Sequence, residues 1–483
     1  MPLQDILFAQ GVEFPCGGRG RCKGCRVKVL KGHLPAGPDD LRLLTAAELA
    51  EGWRLACRAS ATSDLKIELA QWEATILADN TTFDFTPRSG WGVAVDLGTT
   101  TVVAQLLDLA TGHVLGVRMG LNVQAQHGAD IMSRIDFASN GEGQAMLARL
   151  IREQIRGMIA ELLQGIGDHD QTLRDIVIVG NTVMHHLFCG VSVAPLSHHP
   201  FEPEQDGLQV FPAEALGWNL LGQPTVRFLP CLGGFVGSDI LAGLLATRQH
   251  ESEGLRVLLD LGTNGEIVVG NRHRMLCAST AAGPAFEGAR ISMGMRAATG
   301  AISEIHLQDG RLECHVLGHG QPRGLCGSGL VDAIACGLDL GWIQPSGRTE
   351  QGRSLLLAEP ISLTQGDVRE LQLAKGAIAA GVRILLQQWG AKPEDVERVH
   401  LAGAFGNYIS KRSAARIGLI SFPPEKVQSA GNTALLGAKL ALFNLHQGDG
   451  YPPRIRQQVT HVPLNDDPQF QEIFAEEMGF PLR

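Results

Sequence analysis

Four absences frame this sequence of 483 residues. No apolar run approaches the ~18 residues that a membrane-crossing helix needs, and the start Met1-Pro2-Leu3-Gln4-Asp5 carries no basic region followed by an apolar stretch. Both point to a cytoplasmic protein without a membrane partner. Positive charge is not in excess: 41 Lys and Arg stand against 50 Asp and Glu, a net charge of -9. No overall field therefore draws the chain to nucleic acid or anionic lipid. Nor is there a G-x-x-x-x-G-K-S/T phosphate loop, so nucleotide binding of that type is excluded.

What remains is an enzyme-sized globular chain, 44% hydrophobic and 19% charged. At roughly 150 residues per domain it should hold about three units. Glycine is abundant, 59 of 483 residues, about 12% against a usual ~7%. The ten cysteines are uneven: Cys16, Cys22, Cys25 and Cys57 crowd the first 57 residues. We read residues 1–70 as one small unit, closing with the alternating run 65–69 as a strand, and 71–90 as a linker. From Trp91, short apolar β-like runs alternate with helical patterns, such as 146–166 with apolar positions 147, 151, 155, 158, 162 and 166. That alternation predicts an α/β fold. A second helix is expected at 367–389 behind a capping box at Thr364 to Asp367, and 192–230, rich in Pro, Gly and His, reads as an irregular excursion.

The chain is internally duplicated. Val93-Ala-Val-Asp96-Leu-Gly98-Thr99-Thr100-Thr101 recurs 164 positions later as Val257-Leu-Leu-Asp260-Leu-Gly262-Thr263-Asn264-Gly265. Val179-Gly180-Asn181-Thr182-Val183 recurs as Ala430-Gly431-Asn432-Thr433-Ala434. Two coincident repeats imply two similarly folded lobes, divided as 91–250 and 251–446, with a C-terminal tail at 447–483 packed on them. An Asp that ends a buried strand beside a Gly and hydroxyl turn sets a carboxylate next to backbone N–H groups able to face an anion. Two such turns would hold a polyphosphate from both sides, with Asp96 and Asp260 directed at Mg²⁺ through waters.

These motifs resemble the superfamily of acetate and sugar kinases, heat-shock chaperone ATPases and actin. Its motif order is present as Asp96–Thr101, Gly180-Asn181, Asp260–Gly265, an adenosine motif at His400-Leu-Ala-Gly403-Ala-Phe-Gly406-Asn407, and Gly431–Ala438. The resemblance implies ATP in a cleft between two ribonuclease-H-like lobes whose closure couples hydrolysis to a change of shape. Gly327-Ser328 precedes a helical pattern and could add an anion site at a helix start. Glu287, in Gly283-Pro-Ala-Phe-Glu287-Gly, is the candidate to orient an attacking water.

The four early cysteines have the form C-x5-C-x2-C, then Cys57 after 31 residues. A 2Fe-2S cluster on a glycine-rich loop, a four-cysteine zinc site and unrelated thiols are the alternatives. The spacing is similar to that of vertebrate-type ferredoxins, which implies a small β-grasp domain, although residues 1–15 can supply a helix but not the hairpin with which such domains open. Arg19, Arg21, Lys23, Arg26 and Lys28 surround the loop; they either meet an acidic partner or keep the domain soluble. Cys189, Cys231, Cys277, Cys314, Cys326 and Cys336 read as core fillers. Adjacent His185-His186 and His198-His199 point about 100° apart on a helix, which disfavours metal binding.

A ferredoxin fused to such an ATPase resembles the reductive activators of corrinoid-dependent enzymes. The segments Gln124–Ile135, Gly180–His186, Ala282–Ala289, Gly294–Ala297 and Met478–Pro481 carry that resemblance. It implies ATP-dependent electron transfer from the cluster to an oxidised cob(II)alamin protein, an upstream electron donor and a homodimer. The linker leaves no room for the extra middle domain of larger members. A small-molecule kinase with a regulatory cluster, and an ATP-driven donor to a non-corrinoid metalloenzyme, use the same parts.

Overall fold

The structure, a computed structural model, describes residues 3–8, 25–61, 64–69, 85–165, 172–262, 264–297, 300–317, 321–350, 354–449 and 451–482. Cys16, Cys22, Thr263, Arg19, Arg21, Lys23 and most of the expected linker lie outside them. Among the described residues no helix is long and apolar enough to cross a membrane.

The N-terminal unit is an antiparallel sheet in which β1 (Arg26–Lys31) lies between β2 (Trp53–Leu55) and β3 (Lys66–Leu69). Its core gathers Leu3, Leu7, Val27, Leu34, Leu44 and Leu55. Arg26 and Lys28 flank Trp53 and pair with Glu48 at 2.8 Å and Glu51 at 3.4 Å. Those two cations are thus engaged within their own domain.

The duplicated motifs build duplicated sheets. In the first, β4 (Trp91–Leu97), β5 (Thr101–Asp108) and β6 (Val114–Leu121) form an antiparallel meander; β7 (Leu173–Gly180) pairs parallel with β4, and β8 (Gln209–Pro212) and β9 (Thr225–Phe228) extend it. In the second, β10 (Arg256–Leu261), β11 (Gly265–Asn271) and β12 (Arg274–Thr280) repeat the meander. In the chain between β12 and the next strand of that sheet come β13 (Ala301–Gln308), β14 (Arg311–Val316) and β15 (Gly324–Leu325), which form a separate sheet, then the hairpin β16 (Leu355–Ala358) and β17 (Ile361–Leu363). The sheet is completed by β18 (Arg398–Ala402) and β19 (Val427–Gly431) parallel to β10, with β20 (Val459–His461) beyond β12. Both sheets therefore share the order third-second-first-fourth, continued by β9 and the edge strand β8 in the first and by β19 in the second. The expected irregular excursion is corrected here: it supplies β8 and β9. These strands have four residues each, too short to show a period among prolines and glycines.

The helix expected at 146–166 runs Gly141–Gln164, starting at the Asn140 cap. That expected at 367–389 runs Gln365–Trp389 behind the Thr364–Asp367 capping box. Asp367 occupies its third position.

Side-chain alternation decides what meets between the lobes. In β4, Val93, Val95 and Leu97 join the outer core under Gly141–Gln164, while Ala94 faces inward. In β10, Val257, Leu259 and Leu261 face outward and Leu258 inward. By the same period Asp96 and Asp260 fall on the inner faces. The space between is filled by the helices Ser238–Thr247 and Thr433–Phe443. They cross so closely that a Cβ on Gly437 would stand 2.0 Å from the Ala242 carbonyl oxygen. Glycine is required there by contact between backbones.

The chain end is clasped to the second lobe. Buried Lys375 donates to the Gly479 carbonyl, Gln372 Nε2 donates to the Met478 carbonyl at 2.8 Å, and Phe480 is buried. Desolvation pulls the Lys375 pKa down to about 8.

Candidate functional site

Asp96 ends β4 and Asp260 ends β10, each followed by a tight Gly turn. Gly98 N–H donates to the Thr101 carbonyl at 3.0 Å and Gly262 N–H to the Asn264 carbonyl at 3.0 Å. The two carboxylates share one crowded cleft. Burial raises Asp96 to about 6, against the opposing hydrogen bond from Asn432; burial and then the Asp96 charge raise Asp260 to about 7.

Two further acids join them. Burial, Asp260 and Asp96 push Asp239 up, and burial, Asp239 and Asp260 push Glu266 up. Neither was singled out from the sequence, although signals existed. Glu266 stands directly opposite Asp260 in the ladder and is the sole charge in the apolar run 265–270. Asp239 follows the glycine-rich run at 233–237 and opens the interlobe helix. Crowded acids of this kind are what a cation would relieve. Yet among the described residues no three His, Cys, Asp or Glu side chains are grouped to hold a metal ion directly. A cation in this cleft would keep water between itself and most of these oxygens.

The connecting Asn residues behave differently. Asn181 caps the helix Thr182–Cys189 through Met184 N–H at 3.0 Å, and its Nδ2 donates to Thr99 Oγ1 of its own lobe at 2.8 Å. Asn432 caps Thr433–Phe443 through Leu435 N–H at 2.9 Å, and its Nδ2 reaches across the lobes to Asp96 Oδ2 at 3.0 Å. Ser238 Oγ accepts from Gly180 N–H at 3.1 Å.

The conspicuous segment 124–135 is a brace for the first turn. Arg134, fully buried, donates to the carbonyls of Thr99 and Gly128 and to Gln124 Oε1. Asn122 holds the turn at the Gly98 and Thr100 carbonyls.

On the second lobe, a Cβ on Gly403 would lie 2.7 Å from Asp260 Oδ1, so this glycine admits the carboxylate. Gly406, in the short helix Gly403–Tyr408 that begins at Gly403, lies against Leu401 of β18. Phe405 stacks on Phe286 at 4.6 Å, and the Phe286 carbonyl abuts Gly327. The structure thereby brings the 403–406, 284–287 and 327–328 segments together. Ser328 Oγ donates to the Ser303 carbonyl at 2.8 Å, and Glu287 Oε2 lies 3.7 Å from Arg296 Nη2.

In the N-terminal unit, ladder pairing of Arg26 with Leu55 carries Ala56 N–H to the Cys25 carbonyl at 3.1 Å, so Cys25 and Cys57 lie at one end of the sheet. Two thiol-bearing residues placed there fit the donor chemistry of an iron-sulfur cluster. His185 and His186 are buried and bonded to the Gly207 and Thr182 carbonyls at 3.1 and 2.8 Å. Their surroundings are those of core histidines.

Comparison with known proteins matches three family descriptions. They are the "2Fe-2S iron-sulfur cluster binding domain" over residues 1–62, the "RACo middle region" over 91–252, and the "C-terminal domain of RACo the ASKHA domain" over 254–483. The middle region thus falls on the first sheet, not on the linker. The chain is 36% identical over 442 residues to a Eubacterium limosum protein named "Corrinoid activation enzyme RamQ", covering 83% of this chain and 72% of the relative. It is 31% identical over 426 residues to a Methanosarcina barkeri "[Co(II) methylated amine-specific corrinoid protein] reductase", covering 81% and 77%. A solved structure titled "Reductive activator for corrinoid,iron-sulfur protein" superposes with a TM-score of 0.71 at 26% identity, covering 100% of this chain and 96% of that one.

Proposed function

We propose, from the premise that this chain belongs to the family of reductive activators of corrinoid proteins, that it returns a Co(II) corrinoid protein to Co(I) at the expense of ATP. The observation that carries this reading is the meeting of Asp96 and Asp260, ends of matched strands in two lobes, beside two glycine turns in one acidic cleft.

In this reading Thr99, Thr100 and Thr101 on one side, and Thr263 and Asn264 on the other, present polar side chains and backbone N–H groups to the phosphates, while Gly98 and Gly262 close the turns through their own N–H bonds. Asn181, Gly327, Ser328, Gly403 and Gly406 frame the rest of the nucleotide. Asp96 and Asp260 hold Mg²⁺ through water, and Glu287 accepts the proton of the water that attacks the terminal phosphorus as the bridging P–O bond breaks. Cys16, Cys22, Cys25 and Cys57 are the ligands of a 2Fe-2S cluster, which supplies one-electron transfer when bound. Reduction of Co(II) is uphill from an ordinary 2Fe-2S donor. Lobe closure about the crossed helices, driven by hydrolysis, is the source of the difference. An upstream donor, a homodimer and a cytoplasmic location complete the proposal.

The test is anaerobic formation of cob(I)alamin on a corrinoid protein, followed by absorption with and without Mg-ATP while free phosphate is counted. ATP-dependent cob(I)alamin with phosphate released to water is expected. Equal yield without ATP would sink the proposal, and phosphate transferred to a metabolite would move the protein to the kinases.

A further inference from the structure

The turn at 122–126 touches both halves of this chemistry, and its residues alternate. Asn122 and Gln124, both wholly buried, face the first phosphate turn. Asn122 Nδ2 donates to the Gly98 carbonyl at 2.9 Å, its backbone N–H to the Thr100 carbonyl at 2.8 Å, and Gln124 Oε1 accepts from Arg134, which itself donates to the Thr99 carbonyl. Val123 and Ala125 instead pack into the core of the N-terminal domain, in one apolar cluster with Leu3, Leu7, Val27, Leu55 and Cys25. A turn five residues long thus separates the phosphate grip from the core that holds a cluster thiol.

We infer that this turn is a two-sided interface, seating the iron-sulfur domain on one side and holding the first phosphate turn on the other, so that nucleotide binding and docking of the iron-sulfur domain strengthen each other. The inference rests on the nucleotide reading of Asp96–Thr101. The turn cannot yield on its phosphate side without leaving the buried Arg134 guanidinium short of an acceptor, a large penalty in a desolvated site. Gln124 is also tied to the Leu147 carbonyl at 3.0 Å and Val123 N–H to Gln154 Oε1 at 3.0 Å. The helix Gly141–Gln164 therefore backs the turn, and a displacement of Thr99 passes to Val123 and Ala125 through close-packed atoms. Coupling of two binding events is reciprocal.

The experiment uses the full chain with its cluster reconstituted. Affinity for Mg-AMPPNP is measured by calorimetry, and amide exchange is followed over residues 25–34 and 53–59 with and without that nucleotide. Exchange is expected to slow about 5-fold or more when nucleotide binds. Ala125→Asp, which puts a carboxylate into the apolar seat, should abolish that protection and weaken Mg-AMPPNP about 5-fold, although Ala125 is outside the cleft. Visible cluster absorption reports whether the domain is still folded; if Ala125→Asp loses it, the milder Ala125→Ser should show the same two effects in smaller degree. Leu30→Asp, on an exposed position of β1, should change neither. Tight nucleotide binding with unchanged exchange overturns the inference and leaves the nucleotide reading standing. Absence of nucleotide binding removes that reading and the inference with it.

Discussion

The two lobes share a strand order and a turn, yet they are fastened differently. In the first, the turn after Asp96 is held from behind by Asn122 and Arg134, and Asn181 keeps its bond within the lobe. In the second, Asp260 lies against Gly403, and the matching Asn432 leaves its own lobe to bond Asp96. Opposite Asp96 the ladder carries buried Val103; opposite Asp260 it carries Glu266. The duplicated turn is braced from behind in one lobe and faced by a further carboxylate in the other. Symmetry of fold is thus compatible with asymmetry of work.

Neutralising each strand-end acid should have the largest effect. Asp96→Asn and Asp260→Asn should each cut ATP hydrolysis by about 100-fold or more. The loss should be greater at Asp96, whose partner spans the lobes; identical losses in kcat would remove the asymmetry. Next comes the helix crossing. Gly437→Ala forces a Cβ to within 2.0 Å of the Ala242 carbonyl and should cost roughly 1–3 kcal/mol, whereas Gly157→Ala, with nothing within 4 Å, should add roughly 0.4–1 kcal/mol. Denaturant midpoints measure both, and equal shifts would mean that the crossing tolerates separation.

A smaller effect separates the two Asn residues. Asn181→Ala and Asn432→Ala each lose a helix cap worth about 1 kcal/mol, but Asn432→Ala also cuts the bond between lobes and should show the larger rise in KM for ATP. Matched kinetics would count against the interlobe role. Smallest is a pH effect in metal-free protein. Asp96 and Asp260 titrate near 6 and 7 when folded, above the ordinary carboxylate value, so the folded state binds the extra protons and stability falls as pH rises through that window. Buried His185 and His400, lowered to about 3 and about 4 chiefly by burial, oppose this below about 6.5, where the unfolded chain protonates first. The Tm of metal-free protein should therefore fall between pH 6.5 and 8. Mg²⁺ should reduce the slope; a slope of opposite sign would show that the acids are not crowded.

Much of this was legible in the chain. Asp96 and Asp260 were visible because each ends an apolar run and precedes glycine, and the repeats at 93 and 257 announced two like sheets. The cysteine spacing put a 2Fe-2S cluster beside zinc and unrelated thiols as alternatives, and the match of residues 1–62 to a 2Fe-2S domain favours the cluster. Asp239 was hidden because an acid beside a helix start is ordinary, and its neighbours in the cleft come from other elements. Arg134 stood in a noticed motif, but its role needs the position of Thr99, 35 residues away. Strand β9 escaped since four residues cannot display a period.

The long helices, the repeat and the candidate acids Asp96 and Asp260 were readable from the chain, because these rest on local periodicity, turn chemistry and spacing. Tertiary structure alone decided which faces of β4 and β10 look at one another. Both strands are covered on both sides, so their patterns carry no inward and outward code. It also decided that four acids share one cleft and that residues 122–126 join it to the iron-sulfur domain, since proximity between distant segments is created by packing and is not written in any one of them.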